Sequence, residues 1–210
     1  MAAYGAIARS SCPSPGRDID GRNEYPPMQQ YLIATVVGSL RRASLNRRLA
    51  DAVERLAPAH FRFERLRIDD LPLYNQDDDA TPAATVVRMK NAVRAAQGLL
   101  FITPEYNRSI PGVLKNALDH GSRPYGESVW AGLSAGILGT SPGAIGTAIA
   151  QQHLRTILAC LDVPVLCLPE AYIQAQEALF DGDGNIGAGS RPFFTTWMSH
   201  YVTWVEAHAR

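Results

Sequence analysis

From residue 31 to residue 37 the chain is almost continuously apolar and β-branched, and it stops at Gly38 and a polar stretch. That pattern predicts a strand buried on both faces. From Leu45 the period changes. Leu49, Val53 and Leu56 recur at helical spacing, while Arg47, Arg48, Asp51, Glu54 and Arg55 fill the opposite face, as an amphipathic helix requires. Phe61, Phe63, Leu66 and Ile68 suggest a second strand, and the Pro- and Asp-rich residues 69–82 a loop. Thr81 then stands as a helix N-cap with Pro82 at the first helical position. Val86, Met89, Val93 and Ala96 carry that second helix. Residues 99–102 form a third, fully buried strand; a loop at 103–110 leads to a helix from Pro111 to near Gly121. A fourth strand is expected at 133–138, a fourth helix at 143–161 and a fifth strand at 163–168. A Gly-rich loop precedes a closing helix at 193–207, with Trp197, Tyr201 and Trp204 on a core stripe.

Five strands alternating with five helices imply parallel pairing through right-handed crossovers. The architecture is an α/β three-layer, doubly wound sheet, flavodoxin-like or Rossmann-like, and ligands bind beyond the carboxyl ends of such strands. Residues 30–210 read as one domain. Residues 1–29, with Pro13, Pro15, Gly16, Pro26 and Pro27 and no hydrophobic period, read as a disordered N-terminal extension.

Composition narrows the function. Twenty basic residues balance twenty acidic ones in the 210, which speaks against nucleic-acid binding through bulk charge. Only Lys90 and Lys115 are lysines. Cys12, Cys160 and Cys167 lack metal-ligand spacing and read as buried or idle thiols. No apolar run reaches the ~18 residues of a membrane span, so a cytoplasmic protein without membrane contact is expected.

Two loops carry the chemistry. The first is Gly38-Ser39-Leu40-Arg41-Arg42-Ala43-Ser44-Leu45-Asn46. It enters a helix whose unpaired N–H groups and positive dipole end suit a phosphate. Ser39, Ser44 and Asn46 add neutral donors and Arg41 a fork; equally, Ser44 could only cap the helix while the arginines face water. Without Gly-x-Gly-x-x-Gly or Gly-Lys-Ser/Thr, neither a dinucleotide pyrophosphate nor a triphosphate is accommodated. A terminal monophosphate is. The second loop, residues 103–112, could set backbone groups against a flat heterocycle, with Tyr106 as a stacking face or a subunit contact, or could simply be a turn feeding the helix from Pro111.

Gly139-Thr140-Ser141-Pro142-Gly143 matches the Gly-x-Ser-x-Gly elbow of serine hydrolases, with Asp181 and His200 or His208 following in order. Pro142 cannot supply the backbone N–H that such an oxyanion hole needs. Asp181-Gly182-Asp183-Gly184-Asn185 fails as a calcium loop, because Ile186 and Pro192 stand where Gly and Glu are required. The five histidines show no metal spacing.

Taken together, the first two loops resemble a known family. Gly38-Ser39-Leu40-Arg41 with Ser44 and Asn46, then Pro104-Glu105-Tyr106-Asn107 with Ser109, Pro111 and Leu114-Lys115-Asn116-Ala117-Leu118-Asp119, is similar to the NAD(P)H-dependent FMN reductases. Within them it looks most like the bacterial quinone, chromate and azo-dye reductases. The likeness spans about residues 31–169, and Ser141-Pro142-Gly143, Gly146-Thr147 and His153-Leu154-Arg155 resemble the family's fourth βα turn. Leu133-Ser134 departs from the Lys-Pro of many relatives.

The resemblance implies a flavodoxin-like sheet of five parallel strands with helices on both faces, noncovalent FMN, and NADPH or NADH as co-substrate. Matched by position, Ser39, Arg41, Ser44, the Leu45 backbone and Asn46 would hold the phosphate. Pro104, Glu105, Tyr106, Asn107 and Ser109 would line the isoalloxazine and ribityl chain, and Thr140 would add a hydroxyl. Hydride would pass from NAD(P)H to the flavin and on to a small-molecule acceptor: a quinone, an azo compound, a metal oxyanion or free flavin. A homodimer or homotetramer is implied, with Arg123 and Tyr125 near its interface. The alternative is a flavodoxin-type electron carrier, which the neutral charge disfavours.

Overall fold

Five parallel strands, β1 (Tyr31–Val37), β2 (Phe61–Arg65), β3 (Gly98–Ile102), β4 (Ser134–Ser141) and β5 (Tyr172–Gln174), stand in the order β2-β1-β3-β4-β5 in a computed structural model that describes residues 29–209. The extension expected over residues 1–29, Cys12 included, lies outside the described residues apart from Gln29. Five helices connect or close the strands: α1 (Leu45–Glu54), α2 (Ala84–Ala95), α3 (Gly112–Gly121), α4 (Ala148–Cys160) and α5 (Arg191–His208).

Period-two alternation divides the strand side chains between two cores. Ala34 and Val36 of β1, Leu99 and Phe101 of β3, and Ala135 and Ile137 of β4 pack with α2, α3 and α4. Tyr31 and Ile33, Leu100 and Ile102, and Leu138 face α1 and α5 on the other side. Every residue of β3 is buried, as its unbroken apolar run requires. In the second core the ring of Tyr201 stacks on Trp197, with centroids 5.4 Å apart, and its hydroxyl donates to the Leu99 carbonyl at 2.9 Å. That bond keeps a fully buried phenol satisfied, and burial pushes its pKa well up. The flavodoxin-like strand order reverses direction between β1 and β3, so the ligand crevice of such a sheet lies past their carboxyl ends.

Five boundaries differ from expectation. Strand β4 continues to Ser141, because Gly139, Thr140 and Ser141 pair with Tyr172, Ile173 and Gln174. The fifth strand is therefore β5 and not residues 163–168. Pro164 removes a ladder donor from that earlier stretch and Pro169 ends it; the stretch keeps only a bridge between Ala135 and Val165. Helix α4 starts at Ala148, after a turn at 143–147. Helix α2 starts at Ala84 with Ala83 as N-cap and no side-chain cap bond, so Thr81 does not cap it. Leu66 and Ile68 lie beyond the end of β2 but are buried. The thiols of Cys160 and Cys167 are exposed, not buried. Among the described residues no helix is long and apolar enough to cross a membrane.

Candidate functional site

The loops after β1, β3 and β4 come together at one end of the sheet. The Gly38 amide donates to the Ile102 carbonyl at 2.9 Å, joining the first loop to the end of β3. Ser39 is buried, and Arg41 and Arg42 are exposed. Ser44 caps α1: its hydroxyl oxygen accepts from the Arg47 amide at 3.2 Å, and its own proton remains free to be donated. The first turn of α1 holds no acidic residue, so nothing in it offsets the positive end of the helix dipole. Among the described residues, no group accepts from the amides of Leu45 and Asn46.

The Asn46 side chain faces elsewhere than expected. It is buried, its Nδ2 donates to the Thr140 carbonyl at 2.9 Å, and its Oδ1 accepts from the Thr140 amide at 2.9 Å. Both ends of the amide are engaged, which ties α1 to β4 and leaves only the Asn46 backbone N–H for a ligand. The same clamp sets Thr140 beside the start of α1. The Thr140 hydroxyl is buried without a partner among the described residues, an arrangement that costs free energy until a ligand or water satisfies it.

In the second loop Pro104 is buried and Tyr106 is 46% exposed. Tyr106 and Ser109 exchange both backbone hydrogen bonds, at 2.9 and 3.0 Å, around Asn107 and Arg108. Both central residues have positive φ, 50° and 66°, the signature of a type I′ turn. Two side chains assigned to the ligand instead brace this loop. Glu105 Oε2 accepts from the amides of Ile149 and Ala150 at 3.0 and 3.1 Å, so it caps the first turn of α4. The Ser109 hydroxyl lies 3.0 Å from Nδ1 of His153. Both side chains thus have partners within the protein, and the backbone of both residues stays available to line a ring. His153 is the residue the sequence reading passed over, although the family-like His153-Leu154-Arg155 segment contained it. Glu105→Ala is expected to lower stability by about 1–2 kcal/mol, the usual cost of a lost N-cap with its charge, read as a shifted urea midpoint.

The third loop does not form a hydrolase elbow. The Ser141 hydroxyl donates to the Gly146 carbonyl. Asp181 is held in its own turn by the amides of Asp183 and Asn185, and backbone donors with Asn185 hold its pKa below the usual carboxylate value. His208 Nδ1 meets the Trp204 carbonyl at 2.8 Å. Ser141 thus has no histidine partner among the described residues.

Around the crevice Leu40, Tyr106 and Ile145 are 50%, 46% and 45% exposed, one from each loop. Beside it, a groove of about 670 Å³ runs from Ser39 and Leu40 past Arg47 to Arg65 and Arg67. Arg65 is paired with Asp51 and Glu54, and Arg67 with Asp69 and Asp70. Arg47 has no ion pair among the described residues and joins Arg41 as an available cation.

Comparison with known proteins agrees with this geometry. The chain is 52% identical over 175 residues to a 2-hydroxy-1,4-benzoquinone reductase of a Burkholderia species, covering 83% of this chain and 96% of that one. It is 42% identical over 146 residues to an Escherichia coli quinone reductase, covering 68% and 77%. FerB, a flavoenzyme NAD(P)H:(acceptor) oxidoreductase from Paracoccus denitrificans, superposes with a TM-score of 0.83 at 40% identity, over 86% of this chain and all of FerB. A flavodoxin from Pseudomonas aeruginosa shares the fold alone, at 18% identity and TM-score 0.51. Residues 31–178 match the family described as NADPH-dependent FMN reductase. The chain belongs to that family.

Proposed function

We propose that this chain is an FMN-dependent oxidoreductase that takes hydride from NADPH or NADH and reduces a small-molecule acceptor of the quinone class. The observation that carries this is the donor cluster at the start of α1. Two amides, the hydroxyls of Ser39 and Ser44, and the orphaned Thr140 hydroxyl stand together with no acidic residue in the helix's first turn. Neutral donors plus the exposed Arg41 fit a phosphate monoester, the group FMN carries at its end.

In this reading Ser39, Arg41, Ser44 and the amides of Leu45 and Asn46 hold the phosphate. Pro104, Tyr106, Asn107 and the backbone of Glu105 and Ser109 meet the ring and its chain, and Thr140 donates to the cofactor. When bound, FMN supplies reversible two-electron chemistry and so carries the redox step itself. No side chain is then needed as nucleophile or base. The chain orients the ring and leaves one face open, and the rim of Leu40, Tyr106 and Ile145 offers flat acceptors an apolar seat. The quinones named for the relatives at 52% and 42% identity support that acceptor class. A homodimer or homotetramer in the cytoplasm completes the reading.

The test is the visible spectrum of the purified protein under anaerobic conditions. A flavin band that bleaches with NADPH and returns with benzoquinone is expected. A band that NADPH leaves unchanged would indicate an electron carrier, and failure to bind FMN at all would overturn the reading. Arg41→Ala is expected to weaken FMN retention roughly tenfold or more, the effect of one lost charge-assisted bond; unchanged retention removes Arg41 from the phosphate site.

A further inference from the structure

We infer that Lys90 is a nucleophilic amine in a second small-molecule cavity, which takes short, uncharged aldehydes and holds them as an imine. This cavity, about 290 Å³, lies under the loop at 69–82, away from the crevice described above. Of the two lysines, Lys115 is exposed and its ammonium donates to both oxygens of Asp119 at 2.8 and 2.9 Å. Lys90 is 7% exposed, lines the cavity and has no ion pair among the described residues. Its ammonium donates to the Arg123 carbonyl, which leaves two N–H groups without a partner there. A buried cation without a counter-ion is costly. Lysine avoids that cost by releasing a proton, as arginine cannot. Burial pushes the Lys90 pKa down, Arg94 adds to this, and Asp79 and Glu127 oppose it.

The walls are fixed in place. The Pro72 carbonyl accepts from Asn116 Nδ2 at 2.8 Å and meets His120 Nε2 at 2.9 Å. Asn116 Oδ1 accepts from the Tyr74 amide at 2.8 Å, and Arg88 forks onto Asp70 at 2.8 and 2.9 Å. A carbonyl partner requires the proton on Nε2 of His120, so a neutral ring presents Nδ1 as a base. Pro72, Pro82 and Val86 supply apolar wall, while Asp78, Asp79 and His120 supply the polar side.

The chemistry balances without an oxidant or reductant. The Nζ lone pair adds to the carbonyl carbon, the carbonyl oxygen gains a proton, and a carbon–nitrogen double bond forms as that oxygen leaves in water. Both amine protons are accounted for in the water released. His120 and Asp79 are the groups on the wall able to move them. Asp79 and Glu127 favour the protonated imine, whereas the carboxylates of Asp78 and Asp79 repel an anionic aldehyde.

The test treats the FMN-loaded, full-length protein with glycolaldehyde and cyanoborohydride near neutral pH, then maps the labelled lysines by mass spectrometry. Lys90 is expected to label faster than Lys115, since burial disfavours its charged form and so raises the share of free amine at its Nζ. K90R is expected to lose the fast phase and keep the slow one, and anionic glyoxylate is expected to label Lys90 more slowly than glycolaldehyde. Equal rates at the two lysines, labelling of Lys90 only in urea, or preference for glyoxylate would overturn the inference. None of these outcomes depends on the redox activity.

Discussion

Asn46→Ala is expected to cost about 2–6 kcal/mol of stability, because it strips partners from two buried backbone groups at about 1–3 kcal/mol each. The groups are the N–H and C=O of Thr140, each now 2.9 Å from the Asn46 amide. The consequence reaches beyond stability. The clamp holds the start of α1 against the end of β4, so its loss loosens the amides of Leu45 and Asn46 relative to the Thr140 hydroxyl. FMN affinity should fall together with the urea midpoint. Asn46→Asp should be no milder, since a carboxylate oxygen would face the Thr140 carbonyl with no proton to donate. Urea titrations with and without added FMN read both effects. A lower midpoint with unchanged FMN affinity would show that the clamp serves the fold alone.

Gly139→Ala is expected to be the most damaging single-atom-scale change near the site. A Cβ there would stand 2.1 Å from the Thr103 carbonyl oxygen and 2.4 Å from the Thr147 hydroxyl. The first is backbone and the second lies in a buried residue at the N-cap of α4, so neither contact relaxes by a rotamer change. Either β3 and β4 part at their carboxyl ends or the start of α4 recedes. Overpacking of this kind costs about 3 kcal/mol or more, which lowers the melting temperature of a chain this size by about 6–12 °C. Both movements also displace the loop that begins at Thr103. A melting temperature within a degree or two of the parent would mean that the three loops are softer than their contacts imply.

Strands β1 and β3 are legible from sequence because an unbroken apolar run between polar stretches has few other uses. Helix α1 is legible because its period and its cap residue Ser44 agree. Strand β4 is misread at its end because Gly139, Thr140 and Ser141 have turn-like composition and become strand only through pairing with β5. Residues 163–168 mislead in the opposite sense: they are apolar enough for a strand, but Pro164 lacks a donor and Pro169 closes the run. The donor-rich loop after β1 is visible locally, since its donors lie within nine positions of one another. The roles of Asn46 and Glu105 are not visible. Their partners lie 94 and 44 residues away, and residue type alone does not say whether a polar side chain meets a ligand or a distant backbone.

The edges of the sheet bear on how copies of this chain can associate. On one side β5 has three residues; on the other β2 has five, with Arg62 and Glu64 pointing to solvent. Short or charged borders are poor templates for another strand. Growth by continuing the hydrogen-bonded ladder from one molecule into the next is thereby discouraged, which protects the chain against fibril-like stacking. Any ordered assembly is left to helix and loop surfaces, where side-chain shape decides the geometry and number of subunits.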